Sequence, residues 1–275
     1  MIKPLKNIVN AVVARFIGRS GTIVARHSAP MRPMNWATTL IDRSLDFVFP
    51  RTCAVCEGDL SSGAAEPEAI CESCVDGFPR WQGLSCRVCG LPLPDGGARC
   101  WTCRRNRRAF RFCRSAGLYE GGLRKGLWGL KYAGRDVLAR PLGRFLAAAW
   151  RERPELARVQ GVVPVPLHFL RRHARGYNQS LLLAESFCRE TGLPLWDGVL
   201  ARRRWTRSQT RLGREDRHAN VSEAFRVRRP EMVRGRIPLL IDDVCTTGAT
   251  LESCGTVMRL AGAKWVAALT VARQV

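Results

Sequence analysis

The sequence predicts an α/β fold, a parallel sheet with helices on both faces, preceded by a small cysteine-rich module. Three observations predict it. Eight cysteines recur at one spacing between Cys53 and Cys103. From about Phe110 apolar runs of strand length alternate with stretches of helical periodicity. Near the end, an apolar run leads straight into two adjacent acids and a Thr/Gly loop. Strand–helix alternation implies a parallel sheet, because each parallel strand needs a returning element that packs on a sheet face.

The cysteines come first in the chain. They are Cys53-x-x-Cys56, Cys71-x-x-Cys74, Cys86-x-x-Cys89 and Cys100-x-x-Cys103. A C-x-x-C turn aims two thiolates at one point, which is half of a tetrahedral zinc site. Four such turns make two Cys₄ sites, so two structural Zn²⁺ ions are expected. The simplest partition is sequential, and cross-braced pairing is compatible with the same spacing. Residues 57–70 and 90–99 are rich in Gly, Ser, Ala, Pro and Glu. Such segments cannot build a core, so metal must supply much of the folding energy. Four thiolates leave no open coordination position, which makes these sites structural rather than catalytic. Cys113 and Cys188 read as small buried hydrophobes.

The remaining elements follow in order. Cys113–Tyr119 reads as a strand, and Leu123–Tyr132 and Leu138–Trp150 as helices. Gly161–Val165 is a short buried strand, and Ser180–Glu190 a helix closed by Gly192 and Pro194. Ile237–Ile241 is an apolar strand, Gly248–Leu260 a helix, and Trp265–Val271 a further strand. The divisions expected are a basic, disordered tail over residues 1–36, the cysteine-rich module over 37–108, and the sheet domain over 109–275.

The sharpest motif runs from Leu239 to Thr250, Leu-Leu-Ile-Asp-Asp-Val-Cys-Thr-Thr-Gly-Ala-Thr. An apolar strand brings Asp242 and Asp243 to its carboxyl end, where open α/β sheets bind ligands. The loop Thr246, Thr247, Gly248, Ala249, Thr250 then opens a helix. Backbone N–H groups at a helix start, with the helix dipole behind them, cradle a phosphate. The acids cannot share that phosphate, since like charges repel; they suit sugar hydroxyls one ring away.

This motif resembles the phosphoribosyl pyrophosphate (PRPP) signature of type I phosphoribosyltransferases. Three further stretches resemble the ComF branch of that fold: Leu130-Lys131-Tyr132-Ala133-Gly134-Arg135, Val163-Pro164-Val165-Pro166-Leu167 running into Arg175-Gly176-Tyr177-Asn178-Gln179-Ser180, and Arg207-Ser208-Gln209-Thr210 through Arg217, Asn220 and Phe225. The resemblance covers about Leu40 to the end and implies a double zinc ribbon ahead of a phosphoribosyltransferase-like domain. It implies a PRPP site at Asp242–Thr250, with Mg²⁺ carried by the ligand. It places pyrophosphate beside Arg171, Arg172, Arg175, Gly176, Tyr177, Asn178 and Gln179, under a mobile loop formed by Arg203–Arg217. It also implies a role in DNA uptake during natural transformation, on the cytoplasmic side of the membrane. The partners would be single-stranded DNA and DNA-uptake helicase or channel proteins. The alternative is an active enzyme that transfers ribose 5-phosphate from Mg-PRPP to a base. No acceptor-base pocket and no general acid are legible in the sequence.

Charge points to a polyanion. Lys+Arg number 45 against 23 Asp+Glu, a net charge of +22. Only Lys3, Lys6, Lys125, Lys131 and Lys264 are lysines, and guanidinium forks suit phosphate oxygens. An arginine-rich genome would inflate the same count. Arg104-Arg105-Asn106-Arg107-Arg108 reads equally as a phosphate grip or a solvated linker. Trp81, Trp101 and Trp205 could stack on bases, or pack against the ribbons or the core. No apolar stretch approaches the ~18 residues of a membrane span.

Overall fold

The computed structural model describes residues 52–60, 69–167, 176–202 and 224–275, all within the compact unit Leu45–Val275. The expected tail over residues 1–36, Arg171, Arg172, Arg175, and the Arg203–Arg217 loop with Trp205 lie outside the described residues.

The cysteine-rich segment repeats one plan twice. A backbone bridge between Thr52 and Asp59 frames the first C-x-x-C turn, and a bridge between Ser85 and Pro92 frames the third. The second and fourth pairs lie on five-residue helices, α1 (Glu72–Asp76) and α2 (Trp101–Arg105). Each helix starts directly after a cysteine, Cys71 or Cys100. A hairpin knuckle and a helix start thus face each other in both copies.

Four strands form the main sheet: β1 (Phe112–Leu118), β2 (Gly161–Pro164), β5 (Pro238–Cys245) and β6 (Ala267–Arg273). Their spatial order is β1-β6-β5-β2 and every pairing is parallel. Two three-residue strands, β3 (Leu200–Arg202) and β4 (Phe225–Val227), pair antiparallel beside it. The longer helices are α3 (Gly121–Tyr132), α4 (Ala139–Arg151), α5 (Gln179–Thr191) and α6 (Ala249–Leu260).

Strand alternation explains the two cores. Leu239, Ile241 and Leu269 point to one face and pack with Leu123, Leu127, Phe145, Leu183 and Phe187 from α3, α4 and α5. Leu240 and Ala268 point to the other, against Leu251, Cys254 and Met258 of α6. Cys86, Cys89, Cys100 and Cys103 belong to that second core. Helix α4 buries Leu142, Phe145, Leu146 and Ala149, the three-and-four spacing of an inward stripe. Gly143 lets it touch α5, since a Cβ there would sit 2.3 Å from that of Ser186.

The parallel sheet with helices on both faces is the expected fold class, with one instructive difference. The strand expected to end at Ile241 continues through Cys245. Val244 and Cys245 pair with Ala272 and Arg273, so β6 extends β5 past the two acids.

Two braces join the second ribbon to the sheet. Arg273, the last residue of β6, is buried, and its Nη1 donates to the Cys89 carbonyl at 3.1 Å and to Cys245 Sγ at 2.8 Å. Glu252 of α6 accepts from the Ala109 amide at 2.8 Å and lies 3.7 Å from Arg108 Nη1. Arg108 is therefore a packing cation. Arg104 donates to the Arg99 carbonyl, and Arg105 stacks 4.3 Å over the Trp101 ring, both on the exposed side of α2.

Candidate functional site

The eight paired cysteines gather as two sets, Cys53, Cys56, Cys71, Cys74 and Cys86, Cys89, Cys100, Cys103. Within each set every sulfur lies within 4.8 Å of the others. Thiolates sharing one Zn²⁺ at ~2.3 Å stand about 3.8 Å apart at the corners of a tetrahedron. Cys56 and Cys71 are 3.8 Å apart and Cys89 and Cys100 3.6 Å apart, so both sets fit the ion. The partition is sequential. Amides of Val55 and Cys71 donate to Cys53 Sγ at 3.4 Å, which disperses thiolate charge as a zinc knuckle requires. When bound, Zn²⁺ supplies the cross-link that these core-poor loops lack.

The second site lies at the carboxyl ends of β2 and β5. Successive β5 residues alternate sides, so Asp242 and Asp243 diverge. Asp243 is 5% exposed. Its Oδ2 accepts from Gln179 Nε2 at 2.8 Å, and its Oδ1 from the Val244 amide at 2.5 Å. Lys131 Nζ of α3 approaches the same Oδ1 at 2.9 Å. Asp242 is less enclosed; its Oδ1 accepts from Ser180 Oγ and from the Asp243 amide, both at 2.9 Å. Burial and the charge of Asp243 push the Asp242 carboxyl up to about 7.

Beyond β5 the chain turns sharply into α6. Gly248 caps the helix at φ 77°, the left-handed region that a Cβ disfavours. Thr246, Thr247, Ala249 and Thr250 are exposed. Thr247 Oγ1 accepts from the Ala249 amide at 3.3 Å, which fixes the loop's shape. Beneath the loop sits Cys245. Cys113, whose thiol is 4.0 Å away, and the Arg273 guanidinium bring the Cys245 thiol down to about 7.

The turn Gly176–Gln179 closes one side of the site. Asn178 caps α5 by accepting from the Ser180 amide at 3.2 Å, and its Nδ2 donates to the Val165 carbonyl at 3.3 Å. Tyr177 OH donates to the Leu130 carbonyl at 2.6 Å. The side chains of Tyr177, Asn178 and Gln179 thus tie α3, β2 and β5 together, while Gly176 stays exposed at φ 80°. The structure brings Asp242, Asp243 and the Gly176–Gln179 turn around one strand end. Sequence reasoning assigned no role to Lys131 or Ser180, although both stand in the stretches quoted above. Ser180 follows an N-cap asparagine, a legible signal. Lys131 carries none, since its partner lies far along the chain.

Comparison with known proteins fits this arrangement. Residues 44–104 match the double zinc ribbon domain. Competence protein F of Haemophilus influenzae is 28% identical over 226 residues, covering 80% of this chain and 96% of that protein. The DNA utilization protein YhgH of Salmonella typhimurium is 30% identical over 221 residues, covering 79% of this chain and 94% of its own. Competence protein ComFC of Bacillus subtilis is 27% identical, covering 73% and 85%. Among solved structures, a glutamine PRPP amidotransferase from B. subtilis is similar at TM-score 0.37 and 21% identity, over 52% of this chain and 30% of that one. Adenine phosphoribosyltransferase from Leishmania tarentolae is similar at TM-score 0.33 and 14% identity, over 50% and 70%. Among the described residues no helix is long and apolar enough to cross a membrane. With paired cysteine sites ahead of a parallel sheet, and with relatives matched over nearly their whole length, the chain belongs to the competence protein F family, which includes the DNA utilization proteins.

Proposed function

We propose that this protein is an accessory of DNA uptake that binds single-stranded DNA and holds PRPP at the β5–α6 turn. One observation carries the pocket: a left-handed glycine at the start of a twelve-residue helix, flanked by exposed threonines and preceded by two acids. Backbone amides at the helix start and the dipole of α6 favour the 5-phosphate at Thr246–Thr250. Ribose hydroxyls go to the acids, with Asp242 the more accessible. Asp243 is already paired with Lys131, so Mg²⁺ would ride on the ligand's own oxygens. Arg175 and the Gly176–Gln179 turn would receive the pyrophosphate. The DNA reading rests on the +22 charge and on the names of the relatives. It carries with it a place at the cytoplasmic face of the membrane, beside DNA-uptake helicase or channel proteins.

Calorimetry with Mg-PRPP tests the pocket. The wild type should give heat at or below millimolar ligand. Gly248→Val should lower the affinity by about five-fold to a hundred-fold, because a branched residue at positive φ costs about 1–3 kcal/mol and the turn must reshape. No heat with the wild type refutes the PRPP reading. Pyrophosphate release with any base in a panel would instead establish the alternative, an active phosphoribosyltransferase.

A further inference from the structure

Helix α3 is used on one side and bare on the other. Leu123, Gly126, Leu127 and Leu130 are buried, the leucines within the first core. The opposite stripe runs Gly121, Lys125, Trp128, Tyr132, all exposed. Trp128 is 57% exposed and Tyr132 63% exposed. The inner leucines already dock the helix, and the Trp128 ring is left largely in water. Two large aromatics in water on adjacent turns are an unusual expense of apolar surface and mark a contact site.

The surroundings say what kind of contact. A groove of about 550 Å³ lies along this stripe, between α3 and the first ribbon. Arg124, Lys125 and Arg135 line it with Trp128, and Glu57 is the one acid in the lining among the described residues. Lys125 Nζ reaches the Val55 carbonyl at 3.4 Å, which holds its charge at the wall. The two rings are 5.9 Å apart between centroids and inclined by 43°, so they do not stack on each other. They are about one helical turn apart, near 6 Å along the axis. Aromatic faces that bind bases, interleaved with cations that bind phosphates, are the components of a single-strand site. A duplex hides its base faces and could use only the cations.

We infer that the α3–first ribbon groove binds single-stranded DNA, with a base on Trp128 and phosphates on Arg124, Lys125 and Arg135. The inference rests on the DNA-binding reading above and gives it a surface, one distinct from the arginines of α2. The groove adjoins the β5 site through α3, since Lys131 of the same helix meets Asp243.

The test is anisotropy of labelled dT30 with the full chain across a salt series, with the matching duplex as comparison. Trp128→Ala should weaken dT30 binding about ten-fold, the loss expected for one stacked base. Trp128→Phe should recover most of it, which a merely structural role would not predict. The duplex should be nearly insensitive to either change. Lys125→Ala with Arg135→Ala should reduce the salt slope for dT30 by about 1.4, two single-strand phosphate contacts. This pair leaves every buried contact of α3 in place and decides the matter should Trp128→Ala fail to fold. If the wild type binds dT30 and these variants bind equally well, the groove is not the strand's site, and a protein partner becomes its occupant. If the wild type binds no strand at low salt, the DNA reading and this inference fall together.

Discussion

Removing Lys131 tests whether the acid pair is held as the structure describes. Lys131 Nζ and Asp243 Oδ1 are 2.9 Å apart, with side chains only 15% and 8% exposed. Lys131→Met keeps the aliphatic stem and deletes the charge, which strands a buried carboxylate. Breaking one side of a buried pair costs about 3–5 kcal/mol. Asp243 keeps its bonds from Gln179 and the Val244 amide, so the lower end, about 3 kcal/mol, is expected. That is a change of about a hundred-fold in the folded-to-unfolded ratio. Urea unfolding of the full, zinc-saturated chain reads it as a midpoint lowered by about 1 M or more, given slopes of about 1–3 kcal/mol/M. Lys131→Met with Asp243→Asn should recover most of the loss, because two neutral groups replace two charges. A single variant within about 0.5 kcal/mol of wild type would refute the reasoning. So would a double variant less stable than the single.

Elemental analysis should find two Zn²⁺ per chain, and fewer than one would remove the metal from the account. Cys86→Ser should unfold or aggregate the second ribbon, because three thiolates bind weakly and the loops have little core of their own. Stability should also depend on pH through Asp242. Its folded pKa, about 7, lies above the ordinary 3.8, so between pH 4 and 7 the native state holds a proton that the unfolded chain has lost. Stability therefore falls as pH rises through that window, by up to about 1.4 kcal/mol per unit for this group. Asp242→Asn should flatten the fall in a denaturation series, and an unchanged profile would show that Asp242 is ionised in the native state throughout.

The elements legible in the sequence were those whose signal is local. The four C-x-x-C turns, the two acids with their Thr/Gly loop, and the stop at Gly192 each announce themselves within a dozen residues. Gly192 adopts φ 72° as the C-cap of α5, as its position requires. Elements defined by a distant partner were not legible. β5 outruns its apolar stretch because Ala272 and Arg273 pair with Val244 and Cys245. β3 and β4 are three residues each and exist only by pairing with one another. Lys131 looks like one helical lysine among solvent-facing neighbours, and its meaning comes from an acid brought to it by the sheet. Arg108 stood in a run of arginines that read as one unit, yet Glu252 separates it from the exposed Arg104 and Arg105. Of the tryptophans singled out, Trp81 and Trp101 are exposed, and Trp205 lies outside the described residues. Trp81 is tied to the Leu84 carbonyl and Trp101 lies under Arg105, while Trp128 stands in the open groove.

One guanidinium sets the terms on which this protein can be taken apart. Arg273 is sealed between the Cys89 carbonyl of the second ribbon and the Cys245 sulfur of the sheet. A boundary drawn near residue 109 cuts the sequence at a change of composition, but the cut passes through that cation's surroundings. A fragment beginning there would keep every strand and still lose an acceptor for a charge it cannot expose. A ribbon grafted from a relative would have to bring a carbonyl to the same place. The two halves are thus modules in the text of the sequence and a single piece in the solid, and they are expected to be inherited, exchanged and lost together.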